Sequence, residues 1–244
     1  MHLSHVRSLK YISIISLYAL LKMADNYLEK KFQDMAEHKN KKRKVITNKS
    51  IDSLLLRNRS HRGYDATYKV SSKELEEIIS VNALTPSARN QQMLRFLPIT
   101  GEEAAEMRNH MKLGGALPEL GLPLPGSEPN AYILICSKGE TSKWTMLDVG
   151  ISAQSMLLKA VDMGLNGICI GAFEKEFAKS LIHGRTGSNG MQAEQLEPEL
   201  LMAFGKGTDH IQILPIDENE NHNYFRENGV HFVPKVKKSQ LIIK

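Results

Sequence analysis

Residues 57–62 read Arg57-Asn58-Arg59-Ser60-His61-Arg62, so three guanidinium groups and a hydroxyl fall within six residues. Guanidinium forks meet phosphate oxygens two at a time, and a serine hydroxyl adds another donor. Such a segment either converges on one anion or is a solvated basic turn. A second polar stretch, Thr85-Pro86-Ser87-Ala88-Arg89-Asn90-Gln91-Gln92, follows an amphipathic run. Carboxamides both donate and accept, which suits the edge of a heterocycle. The same residues also make an ordinary loop.

Other chemistries find no residues to carry them. Cys136 and Cys169 each sit inside an apolar strand pattern, where a thiol serves as a small hydrophobe. The body has no His-x-x-x-His or Cys-x-x-Cys spacing, so no zinc site is expected. Gly-x-Ser-x-Gly, the Gly-x-x-x-x-Gly-Lys phosphate loop and Gly-x-Gly-x-x-Gly are also missing, which disfavours a serine hydrolase, a nucleotide triphosphatase and a Rossmann dinucleotide site.

The chain has 244 residues, 41% hydrophobic and 24% charged, with a net charge of +5. That composition excludes wholesale disorder, collagen-like and coiled-coil architectures, and two cysteines exclude a disulfide scaffold. The charge is uneven. Residues 1–44 hold 10 Lys+Arg against 4 Asp+Glu, and the remainder hold 22 against 23. A globular nucleic-acid-binding surface needs its excess on the body, and this body is near neutral. Lys39 to Lys44 carries no interleaved aromatics, so it reads as a solvated helix end or linker. No nucleic-acid partner is expected.

Two domains follow: an N-terminal extension, 1–44, and a globular domain, 45–244. Tyr11 to Leu21 is apolar but only eleven residues long, too short for a bilayer span; no membrane association is expected. A signal peptide, an unstructured or amphipathic extension and a true start at Met23 all remain open. Residues 24–38 have helical spacing through Leu28, Phe32, Met35 and Ala36.

The elements that position the two polar stretches are legible next. Ile51 to Leu56 is a helix ending at the basic cluster. Ser71 and Glu74 form a capping box and open a helix with the stripe Leu75, Ile78, Ile79 and Leu84. Pro86 stops it. Phe96 to Thr100 is a strand, and Glu102 to Lys112 a helix. The Gly- and Pro-rich residues 114–130 form a long shaped loop, of a kind that is usually functional. Tyr132 to Cys136 is a buried strand. Thr145 to Leu165 is a core helix with Gly164 at its C-terminal cap. Gly167 to Phe173, Leu200 to Phe204 and Ile211 to Ile216 are further strands. Helices and strands alternate without a string of βαβ units, which predicts an α+β or α/β sandwich.

Arg59-Ser60-His61-Arg62, Pro86 to Gln92, and Asp148-Val-Gly-Ile-Ser-Ala-Gln154 leading to Gly164 through Phe173 together resemble the nitroreductase family. The resemblance covers about residues 50–244. It implies an FMN-dependent nitroreductase-like fold, with a central mixed sheet flanked by helices, in an intertwined homodimer. It also implies roles. Arg59, Ser60 and Arg62 match the first flavin-binding motif, with Arg62 near flavin N1 and O2. Pro86, Ser87, Asn90 and Gln92 match the motif that meets the flavin, partly from the other subunit. Gly171 and Ala172 match the turn whose backbone packs by the ring near N5. Lys235 and Lys237 match a C-terminal basic segment that reaches the FMN phosphate. Lys112 is a second candidate cation near the ring. Trp144 is either a pocket aromatic or, as the more frequent use of a lone Trp, core.

The chain departs from the family at Asn58, where many members have arginine, which shifts phosphate binding to Arg57 or Arg59. Met93-Leu94 replaces the common Pro-Trp after Gln92. The resemblance implies an NAD(P)H-dependent FMN oxidoreductase of the cytoplasm. Hydride would pass through flavin N5 by ping-pong kinetics to an electron-poor acceptor such as a nitroaromatic or quinone. No side-chain acid or base is then required, because the cofactor carries the chemistry. The alternatives are other flavin chemistry of the family, such as dehydrogenation or dehalogenation, and a non-enzymatic flavin-binding protein.

Overall fold

The computed structural model describes residues 50–115, 118–183, 185 and 196–243. The chain divides into two units, Met1–Asn48 and Lys49–Lys244, and every element below belongs to the second. The expectations for residues 1–44, including the apolar segment and the 24–38 helix, lie outside the described residues.

The buried run Tyr132 to Cys136 nucleates the architecture. It lies within strand β2 (Ala131–Lys138), which pairs antiparallel with β1 (Leu94–Ile99) on one side and β4 (Leu196–Gly205) on the other. Strand β3 (Asn166–Ile170) pairs antiparallel with β4, giving the order β1-β2-β4-β3. Side chains alternate across a strand, so β2 feeds two cores. Ile133 and Ile135 join one with Met202 and Phe204; Tyr132, Leu134 and Cys136 join the other with Leu201 and Ala203. Pro98, which cannot donate to a ladder, falls on the edge strand β1.

Helices cover both faces. Over the first core lie α2 (Ser72–Ile79) and α4 (Lys143–Asp162), through Leu75, Ile78, Val149, Met156 and Ala160. Over the second lie α3 (Gly101–Met107) and α5 (Lys175–His183), through Ala104, Met107, Ala178 and Ile182. Each fully buried Leu or Ile contributes about 1.5–3 kcal/mol. Helix α1 (Ile51–Arg57), capped by Ser50, buries none of its residues. The Ser71–Glu74 capping box forms as the sequence predicts, and Ser142 with Thr145 makes another at the start of α4. Gly164 ends α4 with φ 83°. No helix among the described residues is long and apolar enough to cross a membrane.

A second sheet, in the order β5-β7-β6, is built from β5 (His210–Ile216), β6 (Phe225–Glu227) and β7 (Val230–Val236). β5 and β7 run parallel, while β6 and β7 form a hairpin through Asn228 and Gly229, both at positive φ. The α+β arrangement matches expectation. The described strand ladders of the central sheet are antiparallel, with a parallel bridge from Ser60 to Gly167 on β3, and a parallel strand pair lies in this smaller sheet.

Three expectations about single residues are corrected. Leu84 is 86% exposed, because the chain tightens into a 3-10 turn over Ser80–Leu84 and three residues per turn swing it off the α2 stripe. Cys169 is exposed on the edge strand β3, whereas Cys136 is buried. Trp144 is exposed rather than core, with Lys143 Nζ 5.1 Å from its ring centroid. Helix α4 itself buries only one face: Trp144, Met146, Leu147 and Ile151 are exposed.

Candidate functional site

The segment after α1 runs alongside β3. Ser60 forms a parallel bridge with Gly167, where a Cβ would lie 2.8 Å from Leu157 and 2.9 Å from the Ala203 carbonyl. Glycine is what admits the packing there. The Asp209 carboxylate then fixes the end of the segment. Its Oδ2 accepts the amides of Arg62 (2.6 Å) and Gly63 (2.9 Å), and its Oδ1 accepts Arg226 Nη2 at 2.5 Å. Burial alone would raise the Asp209 carboxyl, but these amides and the Arg226 charge outweigh it and hold it below the usual range. Arg62 leans on Tyr224, with Nη2 3.3 Å from the phenol oxygen and the guanidinium carbon 4.8 Å from the ring centroid. Its Nε is buried without a hydrogen-bond partner. Ser60 is exposed.

The motif divides between two sides. Arg57, Arg59 and His61 line a cavity of about 430 Å³; Asn58, Ser60 and Arg62 do not. Successive side chains of an extended strand point to opposite faces, so Arg59 and Ser60, adjacent in sequence, serve different surfaces. Arg59 turns back on α1, donating from Nε to the Asn58 carbonyl (2.6 Å) and from Nη2 to the Leu55 carbonyl (2.8 Å).

The second polar stretch is a strained loop. Arg89, Asn90 and Gln92 have φ of 51°, 55° and 50°. Each non-glycine residue in this region costs about 1 kcal/mol. The loop is held by its own bonds, Asn90 N to the Ser87 carbonyl (2.9 Å) and Gln92 N to Ser87 Oγ (3.1 Å). It is also held from α4, where buried Asp148 accepts the Ala88 amide through Oδ1 at 2.9 Å. Pro86, Ser87 and Gln92 line a cavity of about 370 Å³ with Met93, Phe96 and Asp148. Asn90 is exposed beside it, its Oδ1 3.2 Å from Gln92 Nε2.

Gly171 and Ala172, just past β3, are both exposed. The Ala172 carbonyl accepts the Lys112 amide at 2.9 Å, and Met111 bridges Phe173, so Lys112 does neighbour this turn. Among the described residues nothing lies within 4 Å of where a Gly171 Cβ would stand, so none of their contacts demands glycine there. Lys235 is exposed on β7 opposite Pro215. Lys237 Nζ pairs with Asp217 at 2.7 Å, and that bond raises its ammonium. From the 114–130 loop, Glu128, Pro129 and Asn130 line a third cavity with Lys69 and Arg108, not the one beside Ser87.

Two features were missed from sequence. Asp148 stands in a quoted motif but no role attached to it. Asp209, Arg226, His231 and Tyr224 form the polar network under Arg62, and no local spacing ties Asp209 to a loop 147 residues earlier.

No protein-family model and no curated protein matches the sequence. Solved structures do match in shape. A nitroreductase family protein from Streptococcus pneumoniae TIGR4 aligns with a TM-score of 0.53 at 15% identity, over 67% of this chain and 93% of that one. The chain has the nitroreductase fold. A protein from Exiguobacterium sibiricum 255-15, provisionally named a nitroreductase and solved in complex with FMN, shares this fold with a TM-score of 0.51 at 19% identity, over 68% and 92% of the two chains. One from Staphylococcus epidermidis ATCC 12228, provisionally named an NAD(P)H:FMN oxidoreductase, matches with a TM-score of 0.51 at 19% identity, over 68% and 91%. At these identities the nitroreductase fold is what the likeness establishes.

Proposed function

We propose that this chain is an FMN-dependent oxidoreductase that uses NAD(P)H to reduce electron-poor acceptors. The observation that carries the reading is the nitroreductase fold shared with a protein solved in complex with FMN. The residues present fit the cofactor. Arg62 keeps a buried donor nitrogen without a partner, and Ser60 presents its hydroxyl at the surface; both suit an oxygen-rich ligand. The strain stored at Arg89, Asn90 and Gln92 is of the kind found at ligand clamps.

Bound FMN would supply reversible hydride chemistry, while the protein binds, orients and sets the local charge. Arg62 holds positive charge against the ring edge. Ser87, Asn90 and Gln92 offer hydroxyl and carboxamide groups to the heterocycle, with Pro86 as an apolar wall. Gly171 and Ala172 leave the backbone bare for a flat ligand to approach. Lys235 supplies a cation, and Lys237 does so by exchanging Asp217.

A second copy completes the site in this reading. Among the described residues, Arg57, Arg59 and His61 of the basic segment and Ser87 of the loop line different cavities. Trp144, Leu147 and Ile151, at helical spacing along α4, leave an apolar strip uncovered, which supports a homodimer through this face. The test is flavin retention. Protein incubated with FMN and passed through a desalting column should stay yellow, and Arg62→Ala should lose most of that colour. A wild-type protein that emerges colourless would refute the assignment.

A further inference from the structure

The cavity beside the basic segment is lined by Arg57 and Arg59 but not by Ser60 or Arg62, the two residues of that segment given a flavin role under the proposed function. Its chemistry is that of an anion site. Arg57 and Arg59 line it together with His61 and His210. Neither arginine forms an ion pair among the described residues. Arg57 spends Nε on the Ser53 carbonyl (3.2 Å), and Arg59 spends Nε and one Nη2 hydrogen on carbonyls of its own segment. Each guanidinium carries more donors than these bonds use. Asp209 is the carboxylate of the lining, and it is already engaged by the Arg62 and Gly63 amides and by Arg226. Net positive charge therefore remains in the cavity.

The frame around it is built. Asn166 donates Nδ2 to the Arg57 carbonyl (3.4 Å) and accepts the Gly207 amide through Oδ1 (3.3 Å). His61 is only 7% exposed, and its Nδ1 is buried without a hydrogen-bond partner. A side chain at Gly207 would run into that ring, so glycine there is what lets the imidazole sit beside the arginines. Val161, Leu165 and Ile211 give the cavity apolar lining as well.

We propose that this cavity binds a phosphate group carried on a small apolar body, separately from the FMN site. Two guanidinium forks meet the phosphate oxygens, and the apolar lining takes the organic part. The proposal takes Arg57 and Arg59 away from the FMN phosphate, where the family resemblance put one of them, and leaves the flavin to Ser60 and Arg62, which do not line this cavity.

Calorimetric titration of the full-length protein with inorganic phosphate, then with phenyl phosphate, tests it. Phenyl phosphate should bind several-fold tighter than phosphate, since its ring covers the apolar lining. Arg57→Ala and Arg59→Ala should each weaken both probes by about tenfold or more, the loss of a charge-assisted bond. Arg59→Lys, which keeps the charge and loses the fork, should fall between. Ser60→Ala should leave both affinities unchanged. Circular dichroism of each variant separates lost binding from lost folding. No heat of binding at about 10 mM phosphate, a ligand concentration that would reveal even millimolar affinity, would overturn the proposal. So would a loss in Ser60→Ala with the arginine variants unaffected, which would assign the phosphate to the flavin face.

Discussion

Asp148 on α4 accepts the amide of Ala88 at 2.9 Å, joining two residues 60 apart in sequence. The bond ties the most regular element of the fold to its most strained loop, since Arg89 and Asn90 follow directly at positive φ. Asp148 is thus a positioning residue: it sets where the Ser87, Asn90 and Gln92 side chains stand.

Asp148→Leu should therefore release the loop at a cost of about 1–3 kcal/mol, the penalty for leaving a half-buried amide unpaired. Asp148→Asn, whose carboxamide oxygen still accepts, should rescue most of it. Hydrogen exchange at Ala88 and its neighbours reads this without any cofactor. Equal protection in wild type and Asp148→Leu would show that the loop holds itself.

Acid should destabilise the fold before the carboxylates titrate. Burial lowers His61, with Arg59 and Arg62 adding to the effect and Asp209 opposing it. Burial likewise lowers His231, beside Arg62 and Arg226. The unfolded histidines take protons near 6.5, the folded ones only at lower pH. Between those values the unfolded chain binds more protons, so stability falls as pH falls. His110 shifts the other way, raised first by its hydrogen bond to Glu174, but it acts above 6.5. Urea midpoints at about pH 6.5 and 5.5, below the window in which His110 acts, should show the drop, and replacing both buried histidines by glutamine should flatten it. A midpoint that rises at the lower pH would contradict this account.

The exposed strip on α4 makes a separate prediction. Leu147→Glu places a charge among Trp144 and Ile151, which are exposed in the single chain, so it should leave the fold intact. In the proposed homodimer it would bury an unpaired charge, a cost of several kcal/mol. Sedimentation should then show dimers for wild type and monomers for the variant, with flavin retention falling in parallel. A wild-type monomer that retains flavin would remove the second copy from the site.

Much of the fold was legible because burial writes itself locally. Tyr132 to Cys136 is apolar at every position since β2 is covered on both faces, and the Ser71–Glu74 box marks a helix start that formed as read. Strand β7 was not legible: its burial does not alternate cleanly, and Pro234 and Lys235 interrupt it. Helix α4 read as core because its second face is apolar too, yet that face is bare in the single chain. At the site, the residue types of the 86–92 loop carried the chemistry, but their strain and the Asp148 anchor are properties of the folded chain. The motif resemblance groups Arg59 with Ser60, but in an extended segment neighbours face apart, and only Arg59 lines the cavity.

In the proposed function a redox-active flavin binds here. Its most direct test is the visible absorption of the purified, FMN-loaded protein before and after NADPH is added without oxygen. The account predicts a yellow protein that bleaches with NADPH and recovers when a quinone or nitroaromatic is added. A protein that stays colourless after incubation with FMN, or a yellow one that never bleaches with NADPH or NADH, would contradict it.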